Sequence, residues 1–245
     1  MKPLNSSHLR SFHPLLGVGE LIAFDLETTG LRYKQEEITQ IAGVKMGGMR
    51  MEHLEVFETY VNPGKPIPPE IQDLTQVRDH HVQDAPKPFE ALKSFSKFVS
   101  NHATLFGHDI YRFDFNFIRK TMKASNDPGR LVRFVDTMDV FEVLWPDFSR
   151  LRNTLDDIAE RLSAGLSSIR RHDAKGDAVL LSHIFQRIQD HPDLERICSR
   201  VPVHEDYLPS ISALPDVETS NANRTSWTAS FSISDKPESE SIDDI

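Results

Sequence analysis

With 245 residues, 38% of them hydrophobic and 27% charged, the chain is long enough for one substantial domain with a large core and has the composition of a soluble protein. Its apolar runs fall short of the roughly 20 residues that cross a bilayer, which excludes a membrane-spanning helix. Cys198 is the sole cysteine, which excludes an internal disulfide and a cysteine-based zinc cluster and agrees with a reducing, cytoplasmic setting. The formal net charge of −9 is uneven: residues 201 to 245 carry nine acids against Arg224 and Lys236, a net of −7, leaving only −2 for residues 1 to 200.

Residues 1 to 18 hold Lys2 and Arg10 but no acid, and read as an irregular N-terminal arm. The apolar run Glu20 to Asp25, bounded by glycines and by Thr28-Thr29-Gly30, suits a buried strand. Glu37 to Met46 and Glu52 to Val61 read as two more strands joined by a hairpin at Gly47-Gly48, giving an antiparallel meander. Asn62 to Pro69 is a proline-rich loop. The helical spacing of Phe89, Leu92, Phe95, Phe98 and Val99 predicts a helix over Pro88 to Ser100, leading into a strand at Thr104 to Gly107. Helix and strand then alternate: a helix over Tyr111 to Lys123, a strand over Leu131 to Val135, a helix over Thr137 to Leu144. A further helix is capped by Asn153 with Asp156 in its first turn, and a last one runs from Asp173 to Gln189, stopped by Pro192.

The whole predicts an α/β fold, a mixed five-stranded sheet with an antiparallel meander and flanking helices. Residues 196 to 245, acidic and rich in serine, read as a disordered tail whose removal from 201 onward leaves turnover intact. Within it Trp227, Phe231 and Ile233 form the one apolar interruption, a candidate docking peptide for a protein partner.

Three segments carry chemistry. In Phe24-Asp25-Leu26-Glu27, residues two apart on a strand share a face, so Asp25 and Glu27 project together, and two adjacent carboxylates call for a compensating cation. A hard divalent ion bound through oxygen is the natural one. In Gly107-His108-Asp109-Ile110-Tyr111-Arg112-Phe113-Asp114, Asp114 sits among Phe113, Phe115, Phe117 and Ile118, and an acid in such company needs a partner. In His172-Asp173-Ala174-Lys175-Gly176-Asp177, at a helix start, either Asp173 or Asp177 suits the helix dipole, while His172 lies where a proton acceptor can meet water. Arg112, Arg119, Lys120, Lys123, Arg130 and Arg133 surround the second segment, either as a track for a single strand or as a solvated face.

In that order, an Asp-x-Glu strand end, a Phe-Asp on a later helix and a His-x4-Asp on a final helix, the chain resembles the DEDDh 3′→5′ exonucleases. These have the ribonuclease H-like fold and include the epsilon proofreading subunit of bacterial DNA polymerase III. The likeness covers Gly19 to Gln189, implying an exonuclease domain over 19 to 195. It extends to Val61-Asn62-Pro63, Ile67-Pro68-Pro69-Glu70-Ile71, Asp136-Thr137 and Leu155-Asp156-Asp157-Ile158-Ala159. The sister branch has Tyr four residues before the last Asp; here that residue is Asp173 and His172 stands five before, which indicates the His branch.

The resemblance implies that Asp25, Glu27, Asp114 and Asp177 hold two divalent ions, Mg²⁺ or Mn²⁺, and that His172 is the general base. It also implies substrate contacts at Leu26, Thr28, Leu31, His108, Asp109 and Phe113. The implied product is a nucleoside 5′-monophosphate from a single-stranded 3′ end, DNA rather than RNA because the flanking segments look most like the epsilon branch. A role on RNA ends and a non-catalytic replication or repair scaffold are the alternatives. The family has Asn where Asp109 stands and Gly-Ile where Gln76-Val77 stands. Neither departure removes a ligand.

Overall fold

The structure, a computed structural model, describes residues 13–17, 19–46, 55–150, 153–164 and 169–211. The strands are β1 (Leu21–Thr28), β2 (Ile38–Met46), β3 (Val56–Tyr60), β4 (Thr104–Gly107), β5 (Arg130–Asp136) and β6 (His204–Leu208). The helices are α1 (Pro69–Thr75), α2 (Asp79–Val82), α3 (Pro88–Phe98), α4 (Asp114–Ala124), α5 (Thr137–Leu144), α6 (Leu155–Arg161), α7 (Ala174–Gln189) and α8 (Leu194–Arg200). They build one mixed sheet in the order β3-β2-β1-β4-β5-β6. β1 pairs antiparallel with β2 and parallel with β4; β5 is parallel to β4 and antiparallel to β6.

Alternation along β1 divides the core into two layers. Leu21 and Ala23 join Phe106, Val135, Leu180, Leu181 and Ile184 on the face that α7 covers. Ile22, Phe24 and Leu26 join Phe95, Leu105, Ile118 and Phe134 on the face of α3 and α4. The odd-numbered stripe continues to Asp25 and Glu27, so the strand periodicity that builds the core also aims both acids at α7. A register shift between Glu27 and Thr28 ends the regular pairing with β2 there.

The mixed α/β architecture agrees with the sequence reading, with three corrections. The sheet has six strands, because His204–Leu208 pairs with β5. Its acids had marked this stretch as tail, but Asp206 is buried and ion-paired with Arg119, and Leu208 is fully buried. The domain therefore runs well beyond 195, and α8 and β6 replace the start of the expected tail. At the other end Pro14–Leu16 forms one 3-10 turn whose Leu15 is fully buried, so this part of the expected arm belongs to the core. The third correction moves two helix starts. α4 begins at Asp114 rather than Tyr111, since the backbone N–H groups of Asp109 and Tyr111 turn to donate to the Asp136 carboxylate (3.0 and 3.2 Å). α6 is capped by Thr154 with Asp157, not by Asn153 with Asp156. The hairpin at Gly47-Gly48 and the tail residues Trp227, Phe231 and Ile233 lie outside the described residues.

Deleting residues 201 to 245 should therefore cost stability, because it removes a strand of the sheet and not only a tail. Loss of buried Leu208 and of the Asp206 partner of Arg119 is expected to lower the unfolding free energy by about 3 kcal/mol or more. A urea midpoint unchanged by the deletion would show that β6 contributes nothing.

Candidate active site

The end of β1 and the first turn of α7 converge. One carboxylate oxygen each from Asp25, Glu27 and Asp177 lies within 4.8 Å of the others. Asp114, at the N-terminus of α4 and only 1% exposed, is not one of these three, but it lies near enough for its field to act on Asp25. Burial, reinforced by Asp114 and Glu27, drives the Asp25 carboxyl well above the usual range. Burial, with Asp173 adding, pushes Glu27 up to about 7. Asp114 is also raised, chiefly by burial, then by Asp136 and Asp109. A buried oxygen of Asp114 has no hydrogen-bond donor, and the corresponding oxygen of Asp177 has only the Arg171 guanidinium against it. Oxygen donors held close, desolvated and short of partners fit a hard divalent cation, which would remove both penalties at once.

Small residues let α7 approach the sheet. Ala174, Gly176 and Ala178 are buried, and a Cβ built on Gly176 would stand 1.8 Å from the carbonyl oxygen of Arg170. The loop before α7 thereby lies close against its first turn. His172 adopts a left-handed backbone (φ 56°) in that loop and is exposed. Asp173 is the helix N-cap, accepting from the Gly176 N–H at 3.2 Å, which realises the structural alternative for that acid.

Two residues that sequence reasoning passed over organise this region. Gln40, fully buried and in register with Glu27 across β2, donates to Asp173 (3.0 Å) and Glu58 (3.2 Å) and accepts from the Ala174 N–H (3.2 Å). It ties the α7 N-terminus to the sheet. A glutamine inside the mostly apolar strand run Ile38 to Val44 was the available signal. The other is Arg171, whose guanidinium pairs with both Asp177 and Asp156.

The remaining candidates surround this centre. Leu26 is buried below it. Thr28 is buried and donates to the carbonyl of Gly30 (2.8 Å), whereas Leu31 projects into solvent, 83% exposed. Phe113 packs on Phe117 with ring centroids 5.1 Å apart. Asp109 has φ 53°, a conformation Asp and Asn tolerate better than most residues, and one of its buried oxygens lacks a partner. Asp136 caps α5 and accepts from the N–H groups of Asp109, Tyr111 and Met138, an anchoring role. The basic set splits. Arg130 reaches the carbonyls of Ser96 and Val99, and Arg119 and Lys120 pair with Asp206 and Glu37. Arg119, Lys120 and Lys123 also line a shallow groove with Tyr33, Lys34 and Asn116. Cys198 is buried, and burial pushes its thiol up to about 11, so it is unreactive near neutrality.

His108 gives a pH prediction. Its Nδ1 lies 2.8 Å from the Thr137 hydroxyl, and burial, then the field of Arg171, lowers its pKa to about 4. The folded state thus holds the imidazole neutral while the unfolded chain protonates it near 6.5. This contribution to stability is full above pH 6.5 and is lost as pH falls towards 4, to a limit of about 3 kcal/mol. Comparing urea midpoints of the parent and His108→Gln between pH 7 and 4.5 checks it: the variant's midpoint should fall less steeply.

A mixed sheet presenting an acidic centre at the end of β1 is the setting of a nuclease hydrolase, the class to which the family match assigns the chain. The family model described as "Exonuclease" (RNase_T) matches residues 22–185, and the chain belongs to this family. It is 31% identical over 196 residues to a PolC-type DNA polymerase III of Clostridium perfringens, covering 78% of this chain and 13% of that protein. It is 33% identical over 176 residues to the PolC-type enzyme of Caldanaerobacter subterraneus, covering 70% and 12%. The chain thus spans about one eighth of these relatives' length. Among solved structures, the nuclease domain of 3′hExo, a DEDDh family member bound to rAMP, aligns with a TM-score of 0.59 at 14% identity, covering 76% of this chain and 96% of that one. Escherichia coli exonuclease I in complex with a dA16 oligonucleotide aligns at 0.55 and 16%, covering 72% and 42%. Among the described residues no helix is long and apolar enough to cross a membrane.

Proposed function

We propose that the protein is a 3′→5′ exonuclease that removes nucleoside 5′-monophosphates from single-stranded DNA ends in proofreading or repair. The observation that carries this reading is the convergence of Asp25, Glu27 and Asp177 within 4.8 Å, with buried Asp114 close enough to act on Asp25. Two divalent ions, Mg²⁺ or Mn²⁺, held by these four acids would supply a water acidified for attack and neutralise charge growing on the phosphate. His172, exposed beside the first turn of α7, takes the proton of the attacking water. The water oxygen bonds to phosphorus as the bond to the 3′ oxygen of the penultimate nucleotide breaks. The terminal nucleotide leaves with its 5′-phosphate.

Leu31 serves as a wedge against the terminal base, supported by its exposure at the tip beyond β1, and Phe113 flanks it. Leu26 and Thr28 offer backbone amides to the terminal nucleotide; His108 and Asp109 border the incoming phosphate. DNA is favoured because the PolC-type relatives are DNA polymerases and exonuclease I was solved with a DNA oligonucleotide. The segment with Trp227, Phe231 and Ile233 is a docking peptide for a protein partner, and the single, buried cysteine suits the cytoplasm.

The test uses end-labelled single-stranded DNA and RNA of one sequence, with Mg²⁺ or Mn²⁺ and with chelator. Stepwise shortening of DNA from the 3′ end, abolished by chelator, is expected; RNA shortened faster than DNA would reassign the substrate, and neither shortened would end the reading. His172→Ala should lose most of the rate while metal binding persists, and an unchanged rate would remove His172 as base.

A further inference from the structure

The acidic centre has a cation of its own. Asp25, Glu27, Asp114, Asp173 and Asp177 crowd one space, and Arg171 is the cation whose field opposes burial at both Asp25 and Glu27. Its guanidinium pairs through Nη1 with Oδ1 of Asp177 and through Nε with Asp156 on α6, bridging a site carboxylate and an outer one. A planar fork of donors suits such a bridge, where an ammonium would satisfy one partner at a time. The loop lies close against α7, with a left-handed turn at His172 and an approach of the Arg170 carbonyl that the missing Cβ of Gly176 permits.

We propose that Arg171 is a built-in counter-cation which a divalent ion must displace from Asp177 in order to bind. The inference rests on the metal-site reading above. Buried carboxylates without a compensating charge destabilise a fold, so the protein's own alternative to a metal ion is a tethered guanidinium. An Asp177 oxygen engaged by Arg171 is not available as a ligand, so the ion and the arginine compete. Asp156 retains Arg171 at the rim after the exchange, ready to return when the ion leaves. The arginine therefore keeps the site assembled when empty and weakens its apparent hold on metal.

The full-length chain and Arg171→Gln are titrated with Mn²⁺ by calorimetry, and both are melted in chelator and in saturating Mn²⁺. Arg171→Gln should bind Mn²⁺ about tenfold more tightly, equivalent to ~1.4 kcal/mol. It should melt lower than the parent in chelator, with the gap closing in Mn²⁺. Arg171→Lys, which keeps the charge but cannot span both carboxylates, should fall between. Arg150→Gln, whose partners are Asp139 and Glu142, should leave Mn²⁺ affinity unchanged. Equal affinities for parent and Arg171→Gln, or weaker binding by the variant, would overturn the counter-cation and leave the metal site standing. Absence of Mn²⁺ binding by every form would overturn the metal-site reading itself and this inference with it.

Discussion

Asp25→Ala and Asp177→Ala are each expected to abolish stepwise shortening of a labelled strand, a loss of at least about a thousandfold, the scale of removing a preorganised electrostatic element. The two acids approach from different elements, β1 and α7, so neither replaces the other. Stability should move in the opposite direction. Asp25 is half-buried, and desolvation, Asp114 and Glu27 hold it above its ordinary pKa, so deleting it relieves desolvation and repulsion in the metal-free protein. The combination of lost activity with an equal or higher melting temperature in chelator separates a ligand from a structural acid. A variant that melts markedly lower would reassign Asp25 to the scaffold, and a variant that still degrades DNA at the parent rate would remove it from the site.

Gly176→Ala should be the most damaging change that alters no charge. The added methyl would meet the Arg170 carbonyl at 1.8 Å, backbone against backbone, so no side-chain rotation relieves it. Either α7 withdraws from the sheet or the loop carrying Arg171 and His172 lifts away. Overpacking of this kind costs about 1–3 kcal/mol. A displacement near 1 Å of the groups beside the reacting atoms is worth about a hundredfold in rate. Single-turnover assays alongside thermal melts test this. Full activity in Gly176→Ala would mean that the loop's pose is irrelevant to turnover.

What the sequence disclosed and what it hid follow from the range of the interactions involved. Asp25 with Glu27 was legible because a strand's period of two is local, and the helices Thr137–Leu144 and Pro88–Phe98 were legible because their apolar stripes are regular. The convergence of β1 with α7 is not local; it entered through the resemblance to a family, and the structure brings Asp177 to the pair independently. Composition misled at His204–Leu208. Alternation of Asp206 and Leu208 inward with Glu205 and Tyr207 outward is a strand pattern, but the surrounding acids and serines hid it, and pairing with β5 decides it. Arg171 and Gln40 were invisible for another reason. Gln40 bonds to Asp173, far along the chain, and Arg171 bridges Asp156 and Asp177 on two different helices, and a polar residue's partner has no signature in sequence. Asp136 belongs with them: a lone acid before a helix reads as a cap, which it is, but not as the anchor for the backbone of Asp109 and Tyr111.

The odd-numbered stripe of β1 has a consequence for how errors in folding would show themselves. Leu21 and Ala23 seal one core layer with the same alternation that delivers Asp25 and Glu27 to α7. A slip of one residue would exchange the two faces, sending Ile22 and Phe24 towards α7 and the carboxylates into the phenylalanine-rich layer of α3 and α4. A misaligned population would therefore lose its ligands and its packing together, with no active intermediate between. Stoichiometric titration of bound Mn²⁺ against protein concentration would then count correctly registered molecules in a preparation, a direct measure of folding quality that optical spectra of secondary structure do not provide.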